Sequence, residues 1–75
     1  MTFEDNVSIM LYACFSKNPI STREVIENVL DLHIVTVRNA LQKLEKSGYL
    51  ERIGNHYRAT DYAKDVFNVM KVKGQ

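Results

Sequence analysis

The chain has one cysteine, one proline and three glycines among its 75 residues, and each scarcity removes a class of protein. A lone cysteine, Cys14, excludes an internal disulfide framework. It also leaves His33 and His56 without the cysteine pair that a structural zinc site needs. Gly48, Gly54 and Gly74 are too few and too scattered for a phosphate-cradling glycine loop. No apolar run approaches the ~20 residues of a membrane span. The start, Met1-Thr2-Phe3-Glu4-Asp5, is acidic and lacks the basic opening of a secretory signal. No Ser-His-Asp set and no paired catalytic carboxylates stand out. The expectations are a cytoplasmic location, no enzymatic activity, no cofactor or metal, no small-molecule ligand and no membrane partner.

What is present is an ordinary globular balance, 45% hydrophobic and 25% charged. A chain this short predicts a single domain over residues 1–75, with a small core and a thin stability margin. The net charge is only +1, but it is unevenly spread. Up to Leu32, Lys17 and Arg23 face Glu4, Asp5, Glu24, Glu27 and Asp31. From His33 to Arg58, Arg38, Lys43, Lys46, Arg52 and Arg58 face only Glu45 and Glu51. An acidic first part followed by a basic middle points to one face made for a polyanion.

Periodicity orders the elements. A first helix is predicted from about Asn6 to Ser16, capped by Asp5 or Asn6, with Phe3, Val7, Met10, Leu11 and Cys14 as its inward stripe. Asn18-Pro19 ends it. Cys14 reads as a small buried residue, with no nearby cation or helix start to activate its thiol. Ser21-Thr22-Arg23-Glu24 is a capping box, with Ile20 and Val25 at the staple positions. It opens a second helix from Thr22 to about Leu30. A short turn, Asp31-Leu32-His33, leads to a third helix from about Ile34 to Lys46. There Ile34, Val37, Ala40, Leu41 and Leu44 face inward, and Val35, Asn39, Gln42 and Lys46 face out, flanked by Thr36, Arg38 and Lys43. Gly48 suits the left-handed position beyond its end. Tyr49–Ile53 and His56–Ala59 read as short strands joined by Gly54-Asn55. A last helix is predicted over 60–71, capped by Thr60.

The predicted fold is therefore mainly α with a small β-hairpin (α+β), in the order helix-helix-turn-helix-hairpin-helix. This order is that of a winged helix-turn-helix, with the helix-turn-helix over 22–46 and the wing over 49–59. The run Thr36-Val37-Arg38-Asn39-Ala40-Leu41-Gln42-Lys43-Leu44-Glu45-Lys46-Ser47-Gly48-Tyr49-Leu50-Glu51-Arg52 resembles bacterial winged-helix regulators of the MarR and GntR type. Their pattern runs T-V-R-x-A-L-x-x-L-E-x-x-G and then into a basic wing. The resemblance covers roughly 20–59 and holds at superfamily level. It implies a sequence-specific duplex-DNA-binding protein of prokaryotic or viral type, acting in transcription regulation with its third helix in the major groove. Two positions depart from the pattern: His33 stands where Ser or Thr usually caps the third helix, and Glu27 where a small residue usually packs.

The candidate DNA-binding residues are His33, Val35, Thr36, Arg38, Asn39, Gln42, Lys43, Arg52, Asn55, His56 and Arg58. Arginine can bond guanine bidentately, and Asn or Gln can do so to adenine. Val35 and Thr36 suit a thymine methyl or a phosphate, and the hairpin residues suit the minor groove or the backbone. The terminal helices are apolar over a wide arc, which points to a homodimer through Ile9, Tyr12, Tyr62, Val66, Phe67, Val69 and Met70. The alternative is a winged-helix adaptor for protein partners in a replication or transcription assembly. Single-stranded or RNA binding would want exposed aromatics, for which Tyr49 and Tyr57 are the only candidates near the wing.

Overall fold

A computed structural model describes residues 2–67. Among them are four helices and one antiparallel hairpin: α1 Phe3–Phe15, α2 Thr22–Asn28, α3 Ile34–Lys46, β1 Leu50–Ile53, β2 His56–Ala59 and α4 Asp61–Phe67. The chain is thus mainly helical with a small sheet, in the predicted order. No described helix is long and apolar enough to cross a membrane.

α1 begins three residues before the expected start. Thr2 is its cap: the hydroxyl accepts from the Asp5 N–H at 3.1 Å, and the Asp5 carboxylate accepts from the Thr2 N–H at 3.2 Å. This reciprocal pair satisfies two amides that a later start would leave outside the helix. The inward face is also rotated from the expected stripe. Ile9, Met10, Ala13 and Cys14 are buried, whereas Phe3 and Leu11 are exposed. Ala13 and Cys14 are small, and they let β2 and α4 approach α1 closely. Burial pushes the Cys14 thiol upward, partly countered by the Lys64 charge.

α2 is capped by Ser21, whose hydroxyl accepts from the Glu24 N–H at 3.0 Å. The other half of the expected capping box is not made. Glu24 instead accepts from the Tyr12 hydroxyl at 2.6 Å, which ties α2 to α1. α2 stops at Asn28, short of the predicted Leu30, because the amides of Val29 and Leu30 both turn to the Val25 carbonyl, at 2.8 and 2.9 Å. His33 caps α3 itself, with its Nδ1 accepting from the Val35 N–H at 3.1 Å. Glu27 is exposed at the edge of α2, so it does not disturb the packing of α2 on α3.

α3 ends on Gly48, at φ +87°. The Tyr49 amide returns to Leu44 O and the Gly48 amide to Glu45 O, both at 3.0 Å, which is a Schellman closure that only a left-handed residue at this point permits. The chain then enters the hairpin, with Leu50 opposite Ala59, Glu51 opposite Arg58, Arg52 opposite Tyr57 and Ile53 opposite His56. β2 has a second neighbour. Ile20 pairs with Tyr57 through two backbone bonds of 2.7 and 2.8 Å. Thr60 locks α4 to the end of α3: its hydroxyl donates to Gly48 O at 2.6 Å and accepts from the Ala63 N–H at 3.1 Å. The predicted continuation of this helix to residue 71 lies outside the described residues.

The core gathers Ile9 and Met10 from α1, Ile20, Val25 from α2, Val37 and Leu41 from α3, Leu50 and Tyr57 from the hairpin, and Ala63 from α4. Ile34, expected on the inward stripe of α3, is exposed at the start of that helix. No polar or charged side chain among the described residues is buried.

Candidate nucleic-acid interface

α3 packs on α2 and β1 through Val37, Ala40 and Leu41. At 100° per residue this fixes what its other side presents. Val35, Asn39, Gln42 and Lys46 run along the middle of the outward face. Arg38 lies on one flank, and Thr36 and Lys43 lie on the other. All eleven residues assigned from the sequence are exposed.

The two flanks of α3 border polar clefts. On the hairpin side, Arg38 and Gln42 share a cleft of about 220 Å³ with Thr22, Arg52, Asn55 and Tyr57. On the α1 side, Thr36, Asn39, Ala40 and Lys43 share one of about 250 Å³ with Asn6. A third, along the outward face, is lined by Asn39, Gln42, Lys43 and Lys46. The fold therefore joins Arg38, Gln42, Arg52 and Asn55 on one side of the helix and Thr36, Asn39 and Lys43 on the other.

The remaining assigned residues are differently engaged. His33 uses Nδ1 for the helix cap, which leaves Nε2 for any outside partner. His56 opens β2 and is exposed. Arg58 forms an ion pair with Glu51 directly across the hairpin. Its charge is compensated within the fold. Arg52, on the other strand, spends only its Nε, on the Gly54 carbonyl at 3.2 Å. Sequence reasoning did not assign Asn6, Thr22, Tyr57 or Lys46 to the site. Lys46 was readable from the helical period alone. Asn6 and Thr22 reach the clefts only through the packing of α1 and α2.

The residues assigned to a dimer interface divide. Ile9 is wholly buried within the chain, so its assignment is corrected: it lies on the packed face of α1. Tyr12 is half-buried, with its hydroxyl donating to Glu24 and accepting from Asn28 Nδ2 at 3.3 Å. The bond to Glu24 is the main cause that pushes the Tyr12 hydroxyl above its ordinary pKa, with burial and the Glu24 charge adding to it. Phe67 is half-buried, edge-on to Tyr49 at 6.2 Å. Tyr62 stacks on Tyr49 at 5.3 Å and raises the Tyr49 pKa. Tyr62 and Val66 are still more than half exposed, at 55% and 51%. Val69 and Met70 lie outside the described residues. Phe3 and Leu11, expected on the inward stripe of α1, and Phe15 are exposed apolar residues outside the assigned interface.

Among the described residues, no three His, Cys, Asp or Glu side chains are grouped to hold a metal ion. Comparison of the chain with family models, with curated proteins and with solved structures finds no match.

Proposed function

We propose that the chain is a winged helix-turn-helix protein that binds duplex DNA sequence-specifically, with α3 in the major groove and the β1–β2 hairpin as the wing. In this reading it is a small homodimeric regulator of transcription. The observation that carries the proposal is the outward face of α3. It is a continuous exposed row of side chains that can read base edges, with cations to either side and a polar cleft along each flank. Asn39 and Gln42 suit adenine, and Val35 and Thr36 suit the thymine methyl. Arg38, Lys43 and Lys46 supply the charge that attracts the backbone. The pairing of Ile20 with Tyr57 supports the winged reading, because it fastens the hairpin to the helical body beside α3.

The test is fluorescence anisotropy of a labelled random-sequence duplex, titrated with the chain at several salt concentrations beside the Arg38→Ala/Lys43→Ala double variant. The expected result is an affinity that falls steeply with salt and a shallower fall for the variant. Absence of binding at low salt refutes the proposal. Selection from a random duplex pool then tests sequence specificity.

Tyr62 and Val66 on α4 offer apolar surface for a second copy, as do Phe3, Leu11 and Phe15 on α1. Light scattering with size exclusion is expected to give twice the chain mass, reduced to one chain by Val66→Glu. The same exposed residues favour the adaptor reading over DNA binding if the chain stays monomeric and ignores DNA.

A further inference from the structure

Two arginines from different elements line one cleft. Arg38 comes from the flank of α3 and Arg52 from β1, with Gln42, Asn55, Thr22 and Tyr57 completing the wall. Every one of these six side chains can donate a hydrogen bond, and none is a carboxylate. Neither arginine has an ion-pair partner among the described residues, whereas Arg58 is already matched by Glu51. The bond from Arg52 Nε to the Gly54 carbonyl orients its guanidinium and leaves the terminal N–H groups unused. Two like charges beside one space are mutually repulsive until an anion enters between them.

We propose that this cleft seats a single phosphodiester of the duplex backbone, held jointly by Arg38 and Arg52. The inference rests on the DNA-binding reading and deepens it. A phosphodiester has acceptors and no donors, which suits a wall whose six side chains all carry a donor and two of which are cations. The position favours backbone over a peptide carboxylate. Gln42 borders both this cleft and the row along the outward face of α3, so an anion in the cleft sits one side chain away from the base-reading residues. A duplex presents its backbone at that distance from its base edges. Arg38 is then a phosphate ligand and not a reader of guanine. Arg52 is the cation that the hairpin contributes to the backbone, and Arg58 is a cross-strand tie.

The arrangement makes a distinctive prediction for salt dependence. Each phosphate neutralised contributes about 0.9 to the slope of log affinity against log salt. If Arg38 and Arg52 share one phosphate, Arg38→Ala, Arg52→Ala and the double variant each lower the slope by the same ~0.9 per bound chain. Each single variant weakens binding roughly tenfold and equally on all sequences. Arg58→Ala leaves the slope unchanged. All these side chains are exposed, and circular dichroism checks that each variant is folded.

The measurement uses the labelled duplex and the full chain, with polyglutamate and inorganic phosphate as competitors. Polyglutamate is expected to compete poorly. Free phosphate is expected to compete only at concentrations far above that of the duplex phosphates. A slope loss of about 1.8 per bound chain in the double variant overturns the shared seat, since the arginines then hold separate phosphates. An unchanged slope in all variants, or displacement by polyglutamate as effective as by duplex, also overturns it. In those cases the wild-type chain still binds DNA, and the broader reading survives. If the wild-type chain does not bind duplex at all, both fall.

Discussion

Ile20 is the residue on which the position of the hairpin depends, and its truncation gives a graded test. Its side chain is 1% exposed, and its backbone makes both bonds to Tyr57. Ile20→Ala removes three buried carbons and keeps the backbone bonds. The lost transfer energy is about 2.4 kcal/mol, at ~0.8 kcal/mol per methylene. A residual cavity brings the loss to about 3–4 kcal/mol. A 75-residue chain has roughly 4–11 kcal/mol in total. The alanine variant therefore loses about a quarter or more of the stability. Ile20→Val removes one carbon and should cost about 1 kcal/mol. Urea unfolding followed by far-ultraviolet circular dichroism reads both. With a slope near ~1 kcal/mol per molar, the midpoint falls by about 1 M for valine and about 3 M for alanine. If alanine leaves too little native baseline, the valine variant still carries the test. A midpoint within ~0.5 M of wild type for the alanine variant would refute the assignment of Ile20 to the core.

Gly48→Ala should cost about 1 kcal/mol in the same assay, because the left-handed backbone is unfavourable with a Cβ. The nearest atom to that Cβ, Tyr62 Cδ2 at 3.9 Å, is at ordinary contact, so the cost is conformational and Gly48→Asn should recover part of it. Glu51→Gln frees Arg58 from its ion pair. It should raise affinity for duplex and steepen the salt slope by up to ~0.9, measured by anisotropy, without altering the fold. The alkaline limb of stability tests the Tyr12–Glu24 bond. The folded state holds the Tyr12 proton more tightly than the unfolded chain does, with its pKa above the ordinary 10.0. The stability this contributes is present in full below pH 10 and is lost as pH rises through the folded value. Urea midpoints at about pH 9 and pH 11 should fall less steeply for Tyr12→Phe than for wild type.

α3 was readable from the sequence, Ile34 at its start apart, because its apolar residues repeat at helical spacing, and the hairpin because Gly54-Asn55 marks its turn. Val37, Ala40, Leu41 and Leu44 leave one inward face, so the outward residues follow by geometry. Gly54-Asn55 fixes the turn, and counting back from it pairs Glu51 with Arg58, so that ion pair could have been foreseen. α1 was not readable in the same way. Val7, Ile9, Met10, Leu11, Tyr12, Ala13, Cys14 and Phe15 are apolar on almost every side, and only the close approach of β2 and α4 selects the inward arc. Glu24 posed a different difficulty. Its local partner was the cap, but Tyr12 from another helix holds its carboxylate. The Ile20–Tyr57 bridge is one pair of residues, too short for any alternating pattern to announce it.

Folding also changes what the charge distribution means. The basic stretch from His33 to Arg58 holds five cations, but Arg58, though exposed, is paired with Glu51 across the hairpin. Arg38, Lys43, Lys46 and Arg52 remain exposed around α3 and the hairpin. If each neutralised its own phosphate, the slope of log affinity against log salt would be about −3.6 per chain. A shared seat for Arg38 and Arg52 reduces it to about −2.7, and two copies on one duplex double it to about −5.4. The measured slope thus weighs three structural claims at once: the loss of Arg58 to Glu51, the joint hold of two arginines on one phosphate, and the number of chains that engage one duplex. The Arg38→Ala/Arg52→Ala double variant, set beside the single variants, separates the second claim from the other two. The chain mass in solution, compared with the stoichiometry at saturation, separates the third.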